Sequence, residues 1–353
     1  MAYTTINKHT QHFETKLWSG TGQAQSITNM DFQPDFIWWK ERSSSSHHNI
    51  TDAVRGVSKQ IYPNRTNGET SYSGSEISAF NSDGFSIGTS SDTNQNGQTY
   101  ASWNFKAGTT GSGTTTGSGT GQTYSYSVNT VSGISIIKYT GNNTAGHTIP
   151  HHLGVAPKMV MIKQLTTGNY NWCVGHINLS DGFKNNIKLN SNDAEGVSNA
   201  SFNQTNPSST VITLGDDGSV NAPSQDYILY AFAEKVGYSC ISYYTGNGMA
   251  DGSFCYTGHK PAFLLIKNID QSEQWMMYDN KRLGYNDANN YLSSSTNNSE
   301  STGYGDNNAI DVLSNGFKMR GAGHGSNRAN YKYVFMSIGQ SLVGSNNVTC
   351  TAR

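Results

Sequence analysis

The stretch PDFIWWK, Pro34 to Lys40, returns as PKMVMIK, Pro157 to Lys163, and as PAFLLIK, Pro261 to Lys267. Successive side chains on a strand point to opposite faces, so a strand apolar at every position is buried on both sides. Phe36 to Trp39, Met159 to Ile162 and Phe263 to Ile266 therefore align as the middle strand of a layered β structure. Upstream of each lies an aromatic turn: Trp18-Ser19-Gly20, Tyr139-Thr140-Gly141 and Tyr244-Thr245-Gly246. Downstream comes a closing strand: TYASWNFKA from Thr99, DYILYAFAE from Asp226 and YKYVFMSIG from Tyr331. One module occurs three times, a pattern that serves scaffolds and binding surfaces more readily than a single active site.

Composition supports short strands joined by long polar turns. Only 34% of the 353 residues are hydrophobic and 13% charged, with 20 Tyr and 38 Gly. Disorder brings high charge and few aromatics, the opposite of this balance. The formal net charge of −1 gives no field for steering toward nucleic acid or anionic lipid. No apolar run is long enough for a membrane helix, and the first residues lack the pattern of a signal peptide. No nucleic-acid partner and no membrane insertion are expected. Cys173, Cys240, Cys255 and Cys350 show no metal or framework spacing and read as free thiols. Whether Cys240 and Cys255 face each other across neighbouring strands stays open.

The expected organisation is all-β, with three tandem antiparallel β-sandwich modules of jelly-roll or concanavalin-like type. A lead-in covers residues 1–16 and the first module 17–108. TTGSGTTTGSGTGQT, Thr109 to Thr123, reads by composition as a flexible linker. The second module covers 124–236, the third 237–338, and a polar tail 339–353.

Candidate sites are weighed against plainer roles. Trp38 and Trp39 align with Met161/Leu265 and Ile162/Ile266, so they read as core rather than as sugar-stacking platforms; Trp103 aligns near Tyr230 and Phe335 and reads likewise. His47-His48 and His151-His152 read as exposed, because neighbours on a strand face opposite ways and cannot chelate one ion. Asp83-Gly84 and Asp216-Asp217-Gly218 read as turns rather than calcium loops. Glu69, Glu76, Glu195 and Glu300 present no paired-acid signature of a glycosidase. No catalytic residue, metal ligand or cofactor is expected. The recognition surface is expected in loops that combine amides with tyrosine, through Asn94, Asn96, Asn221, Asn286, Asn289, Tyr291 and Tyr304.

The opening MAYTTINKHTQHFETKLWSGTGQAQSIT, then FQPDFIWWKERS, Asp52 to Gly56 (DAVRG), FNSDGFSIGTS and TYASWNFKAG resemble a family of tailed-bacteriophage virion proteins of marine and cyanobacterial hosts. The resemblance covers nearly the whole chain. Departures are Trp18-Ser19 for Tyr-Thr, Val211 to Leu214 where Asp-Gly-Phe is usual, and Ser337-Ile338 for the last Ala-Glu. The resemblance implies a fibre or decoration component with lectin-like sandwiches, displayed on the virion beside other virion proteins. The leading expectation is a tail-fibre or receptor-binding protein that contacts host surface glycans, assembled as a homo-oligomer such as a trimer. The alternative is a capsid decoration, head-fibre or tail-associated protein without a ligand; a glycan depolymerase is the third reading.

Overall fold

In the computed structural model the Phe36–Glu41, Met159–Gln164 and His259–Asn268 strands occupy equivalent places in three antiparallel sheets. The structure describes residues 4–343 apart from 167, 199, 283–285, 287–289 and 303–306. The first sheet runs Phe13–Ser19, Thr99–Phe105, Phe36–Glu41, Asn49–Asp52. The third repeats it as Ser239–Thr245, Lys332–Ser341, His259–Asn268, Met276–Asp279. The second has Ile134–Thr140, Asp226–Phe232, Met159–Gln164 and Cys173–His176, extended beyond Ile134–Thr140 by two further strands. Three-stranded outer sheets are built on Gln25–Ile27, His147–Pro150 and Phe254–Tyr256. The chain is all-β, as its strand periodicity requires.

The proline strands divide their side chains between two cores. Ile37 and Trp39 face an outer-sheet core with Ile27, Phe85 and Ile87. Val160 and Ile162, and Leu264 and Ile266, do the same in their own sandwiches. The alternate residues Phe36, Trp38, Met159, Met161, Phe263 and Leu265 enter one shared core fed by all three sheets. There Phe36 meets Tyr230 edge-on at 4.8 Å, and Phe105 meets Phe232 at 5.9 Å and Phe263 at 6.4 Å. Trp38, Trp39 and Trp103 are all core residues. Register pairs Trp103 with Trp38, Tyr230 with Met161 and Met336 with Leu265, so Met336 rather than Phe335 is the equivalent of Trp103.

Thr109 to Thr123 is a correction to the linker reading. Thr109–Thr114 pairs with Thr123–Asn129, which pairs with Ile134–Thr140; Thr116–Gly117 caps His147–Pro150. The glycines do not loosen this segment. A Cβ on Gly111 would lie 2.5 Å from the Tyr126 hydroxyl, and one on Gly113 2.9 Å from that of Tyr124. Those residues are glycine because tyrosine rings cross them on the neighbouring strand.

Polar joints between the sandwiches follow one rotational rule. The Glu69 N–H donates to Leu165 O at 2.8 Å, Glu195 N–H to Ile269 O at 2.9 Å and Glu300 N–H to Arg42 O at 2.8 Å. Trp172 Nε1 donates to Tyr62 O and Trp275 Nε1 to Lys188 O, both at 2.9 Å. The Tyr230 hydroxyl donates to Asp52 Oδ2 at 2.7 Å, and Trp103 Nε1 to Asp279 Oδ2 at 3.0 Å. At the third joint Met336 cannot donate; His176 stands in the Asp position and its Nε2 meets Phe335 O at 3.3 Å. These are head-to-tail contacts whose rotation closes, a ring completed inside one chain.

Asp279 is fully buried, and burial raises its carboxyl, but the Arg282 guanidinium at 2.6 Å overcomes this and holds it below the usual range. Arg282 also reaches Glu300 at 3.1 Å and lies over the Trp103 ring at 5.4 Å. Removing one partner of a buried pair strands the other charge, at a cost of about 3–5 kcal/mol. Arg282→Met is therefore expected to lower the urea midpoint sharply, and Asp279→Asn added to it to restore part of the loss. A double variant no more stable than Arg282→Met would disprove this account of the joint.

Candidate functional site: a polar groove on the second sandwich

The turn that follows each aromatic Tyr-Thr-Gly element is tied down by a buried asparagine. Asn221 Oδ1 accepts the Asn142 N–H at 2.9 Å, while its Nδ2 donates to Gly215 O at 2.7 Å and Thr144 O at 3.1 Å. Asn94 does the same with Thr21 N and Gly88 O, and Asn327 with Asn247 N and Gly321 O. Beside each, stacked rings fix the turn: Trp18 on Tyr100, Tyr139 on Tyr227, Tyr244 on Tyr333, with centroids 5.3, 5.1 and 5.0 Å apart. The hydroxyls of Tyr100, Tyr227 and Tyr333 accept a backbone N–H and donate to a backbone carbonyl.

This geometry corrects the loop reading. Asn94 and Asn221 are fully buried and spend their amides on backbone, so they are not open to a ligand. Tyr291 is buried beside Tyr278 in the third sandwich, with centroids 6.1 Å apart. Asn286 imitates a strand partner, exchanging two hydrogen bonds with Val312. Asn96 alone of the described candidates is exposed. Asn289 and Tyr304 lie outside the described residues. The described candidates are spread over three sandwiches and do not converge.

The histidine pairs also differ from expectation. His48 and His151 are buried. His48 Nδ1 accepts the Trp38 Nε1–H at 3.0 Å, and His151 takes the Leu153 N–H on Nδ1 and faces Ser208 O through Nε2. His48 Nε2 lies toward the Ser293 backbone without closing a well-formed hydrogen bond. Among the described residues no group of three or more His, Cys, Asp or Glu could hold a metal ion.

A groove of about 390 Å³ opens on the second sandwich, lined among others by Asn169, Tyr170, Asn171, Lys188, Val197 and Asp217. Its position follows from the repeat. Lys163, near the end of the proline strand, is buried and donates to Tyr170 O at 2.8 Å and to Thr66 O of the first sandwich at 2.9 Å. That carbonyl grip fixes the loop carrying Tyr170. Asn190 holds the next two residues, accepting from Trp172 N–H and donating to Asn171 Oδ1, both at 2.8 Å. A Cβ on Gly218 would come 2.6 Å from the Tyr170 hydroxyl, so glycine lets the ring lie against the short helical turn Gly218–Asn221.

The groove combines a partly exposed aromatic ring with amides, hydroxyls and one carboxylate, the chemistry that receives a hydroxyl-rich ring. Asp217 Oδ1 is occupied by the Ser219 N–H at 2.7 Å, and Lys188 pairs with Asp193 at 2.8 Å. Cys173, buried in the lining, is pushed up to about 12 by burial, so it stays a thiol rather than a nucleophile at neutral pH. The matching region of the first sandwich is bridged: Tyr62 and Tyr72 hydroxyls meet at 2.6 Å where the second has Lys188 and Ser198, and Ser44 and Ser46 turn onto Glu41. Sequence reasoning missed the groove. Its signal was Asn169-Tyr170-Asn171 where the first module has Ser45-Ser46-His47.

The chain belongs to the family described as a domain of unknown function, DUF7483, which it matches over residues 8–341. That span takes in all three repeats and the shared core except Ile6. No curated protein and no solved structure matches the chain.

Two outcomes follow from the buried polar groups. Asn221→Ala takes away the partner of the Asn142 N–H, of the Gly215 carbonyl and of His147 Nδ1, while the Thr144 carbonyl keeps the His147 N–H, a loss of about 3 kcal/mol in chemical denaturation at ~1–3 kcal/mol per orphaned group. Little change would mean that water substitutes for the amide. His176 is lowered by burial to about 4, with Nδ1 accepting the Asn178 N–H at 3.1 Å; His259 falls to about 3. The unfolded chain then binds more protons than the folded one between pH ~6.5 and those values, so stability is complete above ~6.5 and lost as pH falls through the window. His176→Asn should flatten the thermal melting profile between pH 4 and 6.5, and an unchanged slope would refute the assignment.

Proposed function

We propose that this chain is a bacteriophage virion structural protein that serves as a tail-fibre or receptor-binding component and contacts a host surface glycan. The groove beside Tyr170 carries the reading. Sugar rings pack C–H faces on aromatic planes while amides and carboxylates exchange hydrogen bonds with their hydroxyls, and the groove offers both. A shared core holds that surface on rigid elements, as recognition requires. Weak binding by each copy would be multiplied by display in several copies, as in a homo-oligomer on the particle.

The decoration or tail-associated reading keeps one specific observation in its favour. Tyr243, Met249, Phe254 and Tyr256 of the third sandwich are about half exposed or more, which suits contact with a neighbouring protein. Three of the four acids considered for a depolymerase are engaged elsewhere, Glu69 with Arg55 and Lys59, Glu195 with Ser180 and Glu300 with Arg42 and Arg282, while Glu76, raised to about 7 by burial, accepts from the Ser90 hydroxyl in the first sandwich.

The purified chain is expected to bind host-envelope polysaccharide and to compete with phage adsorption. Tyr170→Ala should weaken that binding at least about tenfold, ~1.4 kcal/mol, without moving the melting temperature. Cryo-EM of the intact particle supplies the second arm. Density on the capsid lattice together with no polysaccharide binding would overturn host attachment in favour of decoration.

A further inference from the structure

The second and third sandwiches differ at one flank. In the second, Thr123–Asn129 covers the edge strand Ile134–Thr140, setting Val128 opposite Ser135 and Tyr126 opposite Ile137. Tyr124 and Val128 join the sandwich core, and Tyr126 stacks on His152 at 3.9 Å. The hairpin is inserted where the third sandwich has only the short link Lys235-Val236. Among the described residues the equivalent edge, Ser239–Thr245, therefore has a neighbour on one side only, Lys332–Ser341. The outer-sheet edge Phe254–Tyr256 is likewise uncovered among the described residues, whereas His147–Pro150 is capped by Thr116–Gly117.

What lies in the gap is a groove of about 280 Å³ between the two edges, lined among others by Val236, Cys240 and Tyr256. Side chains at this flank have changed character. Register places Phe254 and Tyr256 where the second sandwich has Thr148 and Pro150 and the first has Ser26 and Thr28. Phe254 is 48% exposed, Tyr256 60% and Val236 65%. Aromatic residues at an open edge, where the other copies have Ser, Thr or Pro, are the reverse of how edges are protected against unwanted pairing. One protection remains. Glu234 Oε1 accepts the Ile241 N–H at 3.1 Å, at the position where Ser127 opposes Ile136 in the second sandwich, and Glu234 is also paired with Lys158 near the surface. A carboxylate occupies an edge N–H that a strand carbonyl could take.

We propose that this flank is a docking site for an extended strand of another polypeptide, displacing Glu234 from Ile241 and seating an aromatic or aliphatic side chain between Cys240 and Tyr256. The occupant's chemistry is given by the strand that fills the same place in the second sandwich: Tyr and Val on one face, alternating with small hydroxyl residues on the other. Backbone pairing supplies register, and the groove selects the side chain. This inference stands independently of the glycan reading, because it concerns a different sandwich and a different ligand class.

The probe is the synthetic peptide TYSYSVN, residues 123–129 of this chain, titrated into the full-length protein and followed by amide NMR. Saturable shifts confined to Cys240, Ile241 and Tyr256 are expected. A control peptide with both tyrosines and the valine changed to serine should bind at least about tenfold more weakly. Val236→Asp and Tyr256→Ser alter exposed positions, so the fold stands while peptide binding is lost. No saturable binding at millimolar peptide, equal binding to the two variants, or binding that appears only after removal of residues 344–353 would each overturn the proposal. The last outcome would name the chain's own tail as the occupant.

Discussion

Everything in this molecule rests on the double burial of the proline strand. Phe36, Trp38 and their counterparts face the shared core, and Ile37, Trp39 and theirs face the local one. A sandwich taken alone would expose the first set to water. At roughly 1.5–3 kcal/mol for each large apolar side chain, that loss is comparable with the whole stability of a domain of this size. The three repeats are therefore parts of one folding unit, and the single family match across residues 8–341 follows the same boundary.

The polar joints make sense only on top of that core. Asp52 with Arg55 and Asp279 with Arg282 are ion pairs with almost no solvent exposure, an arrangement whose desolvation offsets most of its attraction. Such pairs add direction rather than strength. Tyr230 finds Asp52, and Trp103 finds Asp279, in one relative orientation of neighbouring sandwiches, while the apolar contacts alone would tolerate small slides. The joint with Met336 and His176 has lost this donor and charge, and the ring still closes. Closure in one chain explains the tolerance: two specified joints fix the third.

The parts legible in sequence were those governed by period. Apolar residues at every position from Phe36 to Trp39 declared a strand covered on both faces, and alignment with Met161 and Leu265 placed Trp38 in a core. Features that depend on a partner's backbone were not legible. Gly111 and Gly113 look like linker residues until Tyr126 and Tyr124 are seen crossing them. Asn94 and Asn221 look like surface amides, since nothing local reveals which carbonyls a turn leaves unpaired. The groove was harder still, because what opens it is the lack in the second module of the Tyr62–Tyr72 bridge found in the first.

Divergence among the three copies is accordingly distributed by physical cost. At the central strands and turns a change orphans buried groups, and there the copies agree: Lys40, Lys163 and Lys267 all end buried on backbone carbonyls, each lowered by burial to about 8. On the outer layers a change meets only water, and there they differ, with a bridged region in the first, an open groove and an added hairpin in the second, and an uncovered aromatic flank in the third. A closed ring of this kind lets one chain carry three unlike surfaces at fixed relative positions. Its functional capacity therefore lies in what distinguishes the copies, and the repeat itself is the frame that holds those differences still.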